Sequence, residues 1–212
     1  MAFIVFEGLD GSGKSTQIRL LHEFLSRQGH SVLLTREPGG TPLGEEIRRL
    51  LLRVGEDSPS PRCELLLYAG ARAQHVEKVI QPALTCGQWV LCDRFTGSTV
   101  AFQEAGRGLA RRDIEWLNAF ATQQVSPDLV ILLDLPVPIS VSRRQQRYRT
   151  ENSQADRFEI EHLAFHQKVR ESYLEQARQF PHIWLTVDAV LEPEVIANLI
   201  LTKMRERGWL AS

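Results

Sequence analysis

The sequence feature that most constrains the fold is a glycine-rich segment near the N-terminus, which reads Gly8-Leu-Asp-Gly-Ser-Gly-Lys-Ser15. The apolar, β-rich run at residues 3–6 precedes it and suits a buried strand. Apolar Ile18, Leu21 and Leu25 follow it at helical spacing. A strand, a loop with this G-x-x-x-x-G-K-S spacing and a helix together are typical of a site for phosphate groups.

The chemistry of phosphate binding explains the residue types in this loop. Gly8, Gly11 and Gly13 let the backbone curl so that successive N–H groups can point at one anion, beside the positive end of the following helix. Lys14 supplies a flexible positive charge for the β- and γ-phosphates, and the Ser15 hydroxyl can ligate Mg²⁺. The predicted ATP-binding residues are Gly8, Leu9, Asp10, Gly11, Ser12, Gly13, Lys14, Ser15 and Thr16.

Composition restricts the class of protein. The chain has 212 residues, 43% of them hydrophobic, which predicts one domain with a full core over residues 1–212. Its 25 basic and 26 acidic side chains are balanced, which argues against a generic coat on nucleic acid or on a membrane. No apolar run approaches the roughly 20 residues of a membrane span. The chain enters a strand at once, so no signal peptide is expected.

The cysteines and histidines suggest neither a disulfide framework nor a metal cluster. Cys63, Cys86 and Cys92 are odd in number and lack C-x-x-C spacing, so we expect reduced packing residues in a cytoplasmic protein. His162 and His166 are four residues apart and would share one face of a helix, but no third ligand lies beside them in the sequence. A solvated face is therefore favoured over a metal site.

Apolar runs alternate with helical patterns along the chain, which predicts an α/β protein. Strand, helix and strand in this order require right-handed crossovers and a parallel sheet. On the helix predicted from residue 63, Leu66, Ala69, Ala73 and Val76 can line one face, and the helix at 111–124 is organised around Ile114, Leu117 and Phe120. The later strands are predicted at 31–35, 89–93, 129–134 and 183–188. The helices are predicted at 14–28, 43–53, 63–86, 111–124, 157–179 and 193–208, with another that Pro138 opens and a loop at 54–62.

Polar residues follow two of the predicted strands, at the edge where open α/β sheets bind ligands. The turn at 36–42 begins with Arg36 and Glu37, which a plain Pro/Gly turn does not require. Asp93 ends an apolar strand, where it can give Mg²⁺ a second oxygen ligand, and Arg94 is placed for phosphate. A plain turn and a salt-bridged strand end remain the alternatives.

Two further segments are candidates for an acceptor site. Tyr68 and Arg72 are four residues apart on a predicted helix and project together, so Tyr68 can stack on a base and Arg72 can bond to its edge. The alternative is a surface cation–aromatic pair. Residues 96–108 combine hydroxyls, an amide, an aromatic ring and glycines, and are interpreted as a binding segment rather than core.

An arginine-rich stretch at about 143–157 is interpreted as a lid. Arg143 and Arg147 are four residues apart and face the same way, and Arg149 follows them. The polar residues 150–155 are expected to form a loop. A lid of this kind can close arginines over a phosphoryl group during transfer, whereas the alternative is an ordinary charged helix face.

Taken together, these motifs resemble the bacterial thymidylate kinases over nearly the whole chain. The matching stretches are 6–16, Thr35-Arg-Glu-Pro-Gly-Gly40, Tyr68-Ala-Gly-Ala-Arg72, Asp93-Arg-Phe95 and Asp156-Arg-Phe-Glu159. The resemblance implies a P-loop kinase fold with three α/β/α layers and a five-stranded parallel sheet of order 2-3-1-4-5. It also implies a cytoplasmic homodimer that phosphorylates dTMP to dTDP with Mg-ATP, in dTTP synthesis for DNA replication.

The resemblance also assigns roles to individual residues. It places Asp10 at the 3′-hydroxyl of dTMP, Tyr68 on the thymine ring, Arg72 at thymine O4, and Arg48 and Arg94 at the dTMP phosphate. The full predicted dTMP-binding set is Asp10, Glu37, Arg48, Tyr68, Arg72, Arg94, Ser98, Thr99, Phe102 and Gln103. The predicted catalytic set is Lys14, Arg94, Arg143, Arg147 and Arg149, and the predicted metal ligands are Ser15 and Asp93.

This sequence departs from the usual family pattern at several positions. Phe95 and Phe102 stand where the family usually has tyrosine, and the Phe102 position commonly packs against the sugar carbon that lacks a hydroxyl. Glu104-Ala105 replaces the usual glycines. Position 12 is Ser rather than the basic residue of some members, so the lid arginines are expected to supply charge to the transition state.

Three other functions are consistent with parts of the sequence. A kinase for another small acceptor would keep the phosphate loop but does not need the Arg-Glu-Pro-Gly-Gly turn. A nucleotide-dependent switch needs neither an acceptor slot nor a cluster of lid arginines. A nucleic-acid-dependent ATPase fits poorly with the balanced charge.

Overall fold

The computed structural model describes residues 1–55, 57–151 and 154–210. It contains a five-stranded sheet of order β2-β3-β1-β4-β5 in which neighbouring strands run parallel, as predicted. The strands are β1 (Phe3–Glu7), β2 (Val32–Arg36), β3 (Trp89–Asp93), β4 (Leu129–Asp134) and β5 (Trp184–Asp188). Observed and predicted strands differ by no more than one residue at either end.

Helices cover both faces of the sheet and complete the three layers. They are α1 (Lys14–Arg27), α2 (Pro42–Leu52), α3 (Pro61–His75), α4 (Gln81–Thr85), α5 (Thr96–Thr99), α6 (Arg111–Thr122), α7 (Val137–Glu151), α8 (Leu163–Gln179) and α9 (Pro193–Glu206). Two π-helical segments, Val76–Ile80 and Val100–Gly106, continue α3 and α5. None of the helices described is both long enough and apolar enough to cross a membrane.

The central strand β1 is buried on both faces because its side chains alternate between two cores. Ile4 and Phe6 pack with α1 and α9 on one side. Phe3 and Val5 pack on the other side with Val76 from the π-helical segment after α3. Burial on both faces explains why β1 is an uninterrupted apolar run rather than an alternating pattern.

The strand register sets the position of the glycine-rich loop. Phe6 of β1 pairs with Asp93 of β3, so the two strands end side by side. The loop that follows β1 therefore meets the Asp93-Arg94 pair at the carboxyl edge of the sheet, where parallel α/β folds bind ligands.

The apolar faces predicted on two helices are only partly buried. Of the face predicted from residue 63, Ala69 and Val76 are buried, but Leu66 is 59% exposed and its neighbour Leu65 is buried instead. On α6, Ile114 is buried as expected, but Phe120 is 70% exposed. Helical spacing alone did not locate the buried stripe because these helices carry apolar residues on more than one face.

The segment at 96–108 is helical and partly core, so its interpretation as a binding segment rather than core was wrong in part. Ala101, Phe102 and Gln103 lie in its π-helical portion and are buried. Phe102 packs in the cluster that α8 covers, and Phe102 and Gln103 also line the site described below. A π-helical turn changes which side chains face inward, and such turns are frequent at functional sites.

The helix predicted from residue 157 begins instead at Leu163. Residues 157–161 form turns, and the Asp156 carboxylate accepts hydrogen bonds from the backbone N–H groups of Phe158 and Glu159. An Asp side chain that accepts hydrogen bonds from the backbone two and three residues further on stabilises a turn. This turn delays the start of the helix, which helical spacing alone does not reveal.

The histidine pair and the lid boundaries also differ from expectation. His162 occupies the N-cap position that precedes α8, and His166 is buried rather than solvated. Over the described residues, no group of three or more potential ligands from His, Cys, Asp and Glu could hold a metal ion. Helix α7 extends to Glu151, so the first part of the predicted loop at 150–155 is helical. Asn152 and Ser153 of the predicted lid, and Glu56 of the predicted loop at 54–62, lie outside the described residues.

Candidate active site

One cavity of about 580 Å³ opens at the carboxyl edge of the sheet. It contains both the phosphate-loop lysine Lys14 and the pair Tyr68 and Arg72. The predicted site residues that line it are Asp10, Gly11, Gly13, Lys14, Ser15, Thr16, Glu37, Arg48, Tyr68, Arg72, Asp93, Arg94, Ser98, Thr99, Phe102, Gln103 and Arg147. The predicted residues outside this lining are Gly8, Leu9, Ser12, Arg143 and Arg149.

The glycine-rich loop adopts a conformation that side chains disfavour. Gly8, Gly11 and Gly13 have φ of 134°, 79° and 94°. A Cβ on Gly8 would also lie 2.5 Å from the carbonyl oxygen of Leu133, so this position requires glycine for space as well as for conformation. Helix α1 begins at Lys14, directly after Gly13, and its N-terminal N–H groups can therefore face an anion in the loop.

Lys14 is folded back onto the loop. Its Nζ atom donates to the carbonyl oxygens of Gly8 and Leu9 at 3.3 and 3.2 Å, and it lies 3.8 Å from Asp10 Oδ1. Burial and the positive charge of Arg94 lower the pKa of Lys14. These loop carbonyls hold the ammonium group where a phosphate oxygen can replace them as partners.

Asp10 and Arg94 form an ion pair across the mouth of the loop. Arg94 Nη2 donates to Asp10 Oδ1 at 2.8 Å. Burial favours the neutral form of Asp10, but Arg94 and Lys14 outweigh it and hold the pKa of this carboxyl well below its usual value. Burial of Arg94 opposes its positive charge, but Asp10 and other acidic neighbours outweigh burial and raise the pKa of Arg94. The two groups are therefore both charged in the folded protein.

Glu7 and Tyr173 lie behind Arg94 and were missed by the sequence analysis. The Tyr173 hydroxyl accepts a hydrogen bond from Arg94 Nη1 at 3.0 Å and donates one to Glu7 Oε2 at 2.9 Å. Glu7 is fully buried and also accepts from the Ser98 hydroxyl at 2.6 Å. Burial raises the pKa of Glu7, while Arg94 and the Ser98 hydroxyl oppose this. The network fixes the orientation of the Arg94 guanidinium toward the cavity.

A signal for Glu7 was present in the sequence. Glu7 ends an apolar strand just as Asp93 does, and a charged residue at the end of a strand needs a partner if it is buried. Tyr173 gave no comparable signal because it lies on α8, 79 residues from the Arg94 that it contacts.

Asp93 and Ser15 provide oxygen atoms that fit a divalent cation. The buried Asp93 Oδ1 atom has no hydrogen-bond partner among the residues that the structure describes, and Asp93 and Ser15 both line the cavity. An unpartnered buried carboxylate oxygen is costly unless a ligand completes it. Mg²⁺ prefers such hard oxygen ligands, usually one or two from the protein, so this donor set is suitable for it.

Aromatic rings wall the other end of the cavity. The Tyr68 and Phe158 ring centroids are 6.2 Å apart with edge-to-face geometry, and Phe102 meets Phe158 at 5.6 Å in the same way. Phe158 comes from the Asp156-Arg-Phe-Glu turn, to which the sequence analysis assigned no role. All three rings line the cavity, so this end offers apolar surface on which a planar base can stack; we call it the aromatic slot.

Arg72 is almost entirely buried, with 2% exposure, and most of its hydrogen-bonding capacity is used within the protein. Its Nε donates to Glu37 Oε2 at 2.7 Å, and Nη1 donates to Thr99 Oγ1 at 2.8 Å and Asn118 Oδ1 at 2.7 Å. Nη2 donates to the carbonyl oxygen of Phe95 at 3.1 Å. Four of the five guanidinium N–H groups are therefore engaged by described residues, which leaves one for a ligand in the cavity.

Glu37 is held in turn by two basic side chains. Its second oxygen lies 3.0 Å from His75 Nδ1, and His75 Nε2 lies 2.6 Å from Thr35 Oγ1. Glu37 lines the cavity, but its hydrogen bonds to Arg72 and His75 make it a support for the arginine. The Arg-Glu-Pro-Gly-Gly turn therefore contributes to the rigidity of the slot.

The arginines predicted to bind or stabilise phosphate groups differ in whether they reach the cavity. Arg48 Nη1 donates to the carbonyl oxygen of Pro38 at 3.0 Å and lines the cavity. Arg147 also lines the cavity and pairs with Glu159, whereas Arg143 donates to the carbonyl oxygen of Gly11 at 3.2 Å. Arg149 is exposed. The structure therefore brings Arg147 to the cavity and leaves Arg143 and Arg149 outside it.

The fold and this cavity define the class of the protein. A parallel sheet of order 2-3-1-4-5, a strand-loop-helix phosphate site and an aromatic slot at the same sheet edge are the features of a P-loop nucleotide kinase.

Comparisons with known proteins identify the family. The sequence model of the family described as "Thymidylate kinase" matches residues 6–200. The chain is 49% identical to the thymidylate kinase of Bdellovibrio bacteriovorus over 207 residues, which is 98% of this chain and 97% of the relative. It is also 49% identical to that of Trichlorobacter lovleyi over 199 residues, 93% of this chain and 94% of the relative. The chain belongs to the thymidylate kinase family.

A solved structure is consistent with this assignment. The crystal structure of thymidylate kinase from Ehrlichia chaffeensis superposes with a TM-score of 0.75 at 31% sequence identity, and the match covers 96% of this chain and 98% of that one. The likeness therefore extends over the whole fold rather than over the phosphate loop alone.

Proposed function

We propose that this chain transfers the γ-phosphate of Mg-ATP to dTMP and so makes dTDP, a step in dTTP synthesis for DNA replication. The observation that carries the proposal is that Lys14 of the phosphate loop and the Tyr68–Arg72 slot line one cavity. Two nucleotides bound at its two ends could pass a phosphoryl group directly. Membership of the thymidylate kinase family supports dTMP as the acceptor.

The acceptor end fits a thymine base. The rings of Tyr68, Phe102 and Phe158 supply apolar surface for stacking. The remaining N–H of Arg72 can donate to a carbonyl oxygen on the base edge, as at thymine O4. Asp10 stays anionic beside Arg94, so it can accept a hydrogen bond from the 3′-hydroxyl of the sugar. Replacement of Asp10 by alanine without any change in dTMP turnover would remove this role.

The phosphate end supplies positive charge where the transition state is negative. In the loose transition state of phosphoryl transfer, charge spreads over the equatorial oxygens, so catalysis depends on positioning and on charge neutralisation. We assign this task to Lys14, Arg94 and Arg147, which all line the cavity. Arg48 would bind the acceptor phosphate. A covalent enzyme intermediate is not expected.

Mg²⁺ is assigned to Ser15 and to the Asp93 Oδ1 atom, which has no hydrogen-bond partner in the described part of the chain. An ion held there would supply positive charge to the phosphate oxygens of the donor nucleotide. The contribution of Asp93 is to hold a negative charge beside the loop, and that of Ser15 is to offer a hydroxyl at the first turn of α1.

The assembly and location of the enzyme are part of the proposal. We propose a cytoplasmic homodimer that uses the exposed face of α3 and α6. There Trp116 and Phe120 stack with centroids 5.6 Å apart, and they are 65% and 70% exposed. Exposed aromatic surface of this kind is typical of an interface. A net charge of −1 gives no support for a nucleic-acid partner.

A coupled ADP-release assay across the nucleoside monophosphates tests the proposed reaction. We expect turnover with dTMP that disappears when Mg²⁺ is removed. Faster turnover with CMP, UMP or AMP would favour a kinase for another acceptor. ATP consumption that does not depend on dTMP would instead favour a nucleotide-dependent switch.

A further inference from the structure

Glu64 is a buried carboxylate beside the base slot, and it does not line the cavity. It lies in the first turn of α3 and is 0% exposed. Three donors from distant segments meet it: Gln103 Nε2 at 2.8 Å, Arg107 Nε at 3.3 Å and Arg157 Nη2 at 2.6 Å. A fully buried acid with two arginines and one amide around it has its charge and its lone pairs satisfied.

The contact with Glu64 determines which end of the Gln103 amide faces the cavity. A carboxylate held by two arginines can only accept hydrogen bonds, so the group that Gln103 turns toward Glu64 must be its NH₂. Gln103 lines the cavity, and its Oε1 atom makes no hydrogen bond with the described residues, so this oxygen is the acceptor that it can offer there. Without Glu64, the amide could rotate and present its NH₂ instead.

Arg72 offers the cavity a hydrogen-bond donor, whereas Gln103 offers an acceptor. Its guanidinium group can only donate, and its orientation is fixed by Glu37, Thr99, Asn118 and the backbone of Phe95. The cavity therefore combines one fixed donor and one fixed acceptor. Thymine and uracil carry a carbonyl oxygen next to a ring N–H, which matches this pair. Cytosine carries an amino group next to an unprotonated ring nitrogen, which mismatches both.

We propose that Glu64 is a positioning residue for base specificity: it locks the Gln103 amide so that the site selects a base with a ring N–H and rejects cytosine. The proposal rests on the proposed function, because it concerns the acceptor of that reaction. Glu64 acts without touching the acceptor. It links Gln103 to Arg157, which precedes the slot residue Phe158 in the chain.

The test compares dUMP with dCMP, which differ only at this base edge. Their inhibition constants are measured against dTMP phosphorylation, so that dCMP need not be turned over. In the unaltered enzyme, we expect dUMP to bind at least about a hundredfold more tightly than dCMP, because a buried polar group left unpaired rejects a mismatched ligand strongly. Glu64→Gln should reduce this ratio at least about tenfold. The preference for dTMP over dUMP, which reports the methyl group, should not change.

Glu161→Gln is the matched control. Glu161 pairs with the same Arg107, at 2.5 Å from its Nη1 atom, but it makes no hydrogen bond with Gln103 among the described residues. This substitution removes an equal charge from the same cluster and should leave the ratio between dUMP and dCMP unchanged. An equal loss of the ratio in both variants would show that the charge of the cluster matters, not the orientation of the amide, and would contradict the proposal.

A second background separates positioning from stability. In Gln103→Met the amide is absent, so the ratio should already be lost and Glu64→Gln should lower it no further.

If Glu64→Gln does not fold, Glu64→Asp replaces it, because this variant keeps the charge but withdraws the carboxylate from Gln103. An active enzyme in which the Glu64 variants retain the full ratio would overturn this inference alone. A folded, unaltered enzyme that does not phosphorylate dTMP would contradict the proposed function instead.

Discussion

The two ends of the cavity are constructed in different ways. The phosphate end is a short continuous segment, 8–16, in which backbone N–H groups and one lysine provide the binding surface. The base end is assembled from distant segments through buried polar contacts: Arg72 bonds to Glu37, 35 residues away, and Arg157 bonds to Glu64, 93 residues away. Phosphate binding therefore depends on local backbone geometry, whereas base recognition depends on side-chain networks that exist only in the folded protein.

The largest effect on stability is expected at the base end. Arg72→Ala leaves Glu37 buried without its main cationic partner and should lower the free energy of unfolding by about 3–5 kcal/mol. Chemical denaturation measures this. The matched control is Arg112→Ala, because the Arg112 side chain is 89% exposed and pairs with Asp113. Its removal should cost less than about 1 kcal/mol. Similar losses in the two variants would contradict a structural role for the Arg72 network.

The largest effect on turnover is expected at the phosphate end. Lys14→Ala removes a charge from the transition state and should lower kcat at least about a hundredfold, or about 3 kcal/mol, with a much smaller change in the KM for dTMP. Steady-state kinetics with saturating dTMP measures it. Lys78→Ala, which alters an exposed lysine, serves as the control. A Lys14 variant that keeps more than about a tenth of the turnover would contradict the assigned role.

An intermediate effect is expected at Tyr173, which connects Arg94 to Glu7. Tyr173→Phe removes one hydroxyl and with it the hydrogen bond to a charged guanidinium group, worth about 1.5 kcal/mol. We expect kcat to fall roughly tenfold while the KM for ATP is nearly unchanged. If the melting temperature falls but kcat does not, Tyr173 supports the fold without positioning Arg94.

The smallest effect is expected when the aromatic face of Tyr68 is kept. Burial and the charge of Glu64 raise the pKa of Tyr68, so its hydroxyl stays protonated over the working pH range. Tyr68→Phe should therefore change the KM for dTMP by less than about threefold and leave the pH profile between about pH 7 and 9 unaltered. Tyr68→Ala, which removes the ring, should raise this KM by about tenfold. A change in the alkaline limb of the pH–activity profile in Tyr68→Phe would show that the Tyr68 hydroxyl takes part in dTMP binding or turnover.

The difference between the two ends also explains how much the sequence could predict. The strand order, the phosphate loop and the joint exposure of Lys14 and Tyr68 to one cavity agree with the sequence-based expectations. These features follow from continuous motifs and from the geometry of parallel sheets. The roles assigned to individual dTMP- and ATP-binding residues stay predictions until ligands are bound.

The residues that the sequence analysis missed share one property. Glu7, Glu64 and Tyr173 are buried polar groups whose partners lie 39 or more residues away. Periodicity cannot identify such partners, because it reports which face of an element is apolar and not which distant residue it meets. The same limitation accounts for Leu66 and Phe120, whose exposure depends on what covers α3 and α6.

The proposed reaction requires the two ends of the cavity to be close enough for direct phosphoryl transfer in one step. The measurement that tests it most directly is the stereochemical course with ATP whose γ-phosphate is made chiral by oxygen isotopes. A single in-line transfer to dTMP predicts inversion of configuration at phosphorus. Retention of configuration would require an even number of transfers, for example through a phosphorylated side chain, and would contradict direct transfer across this cavity.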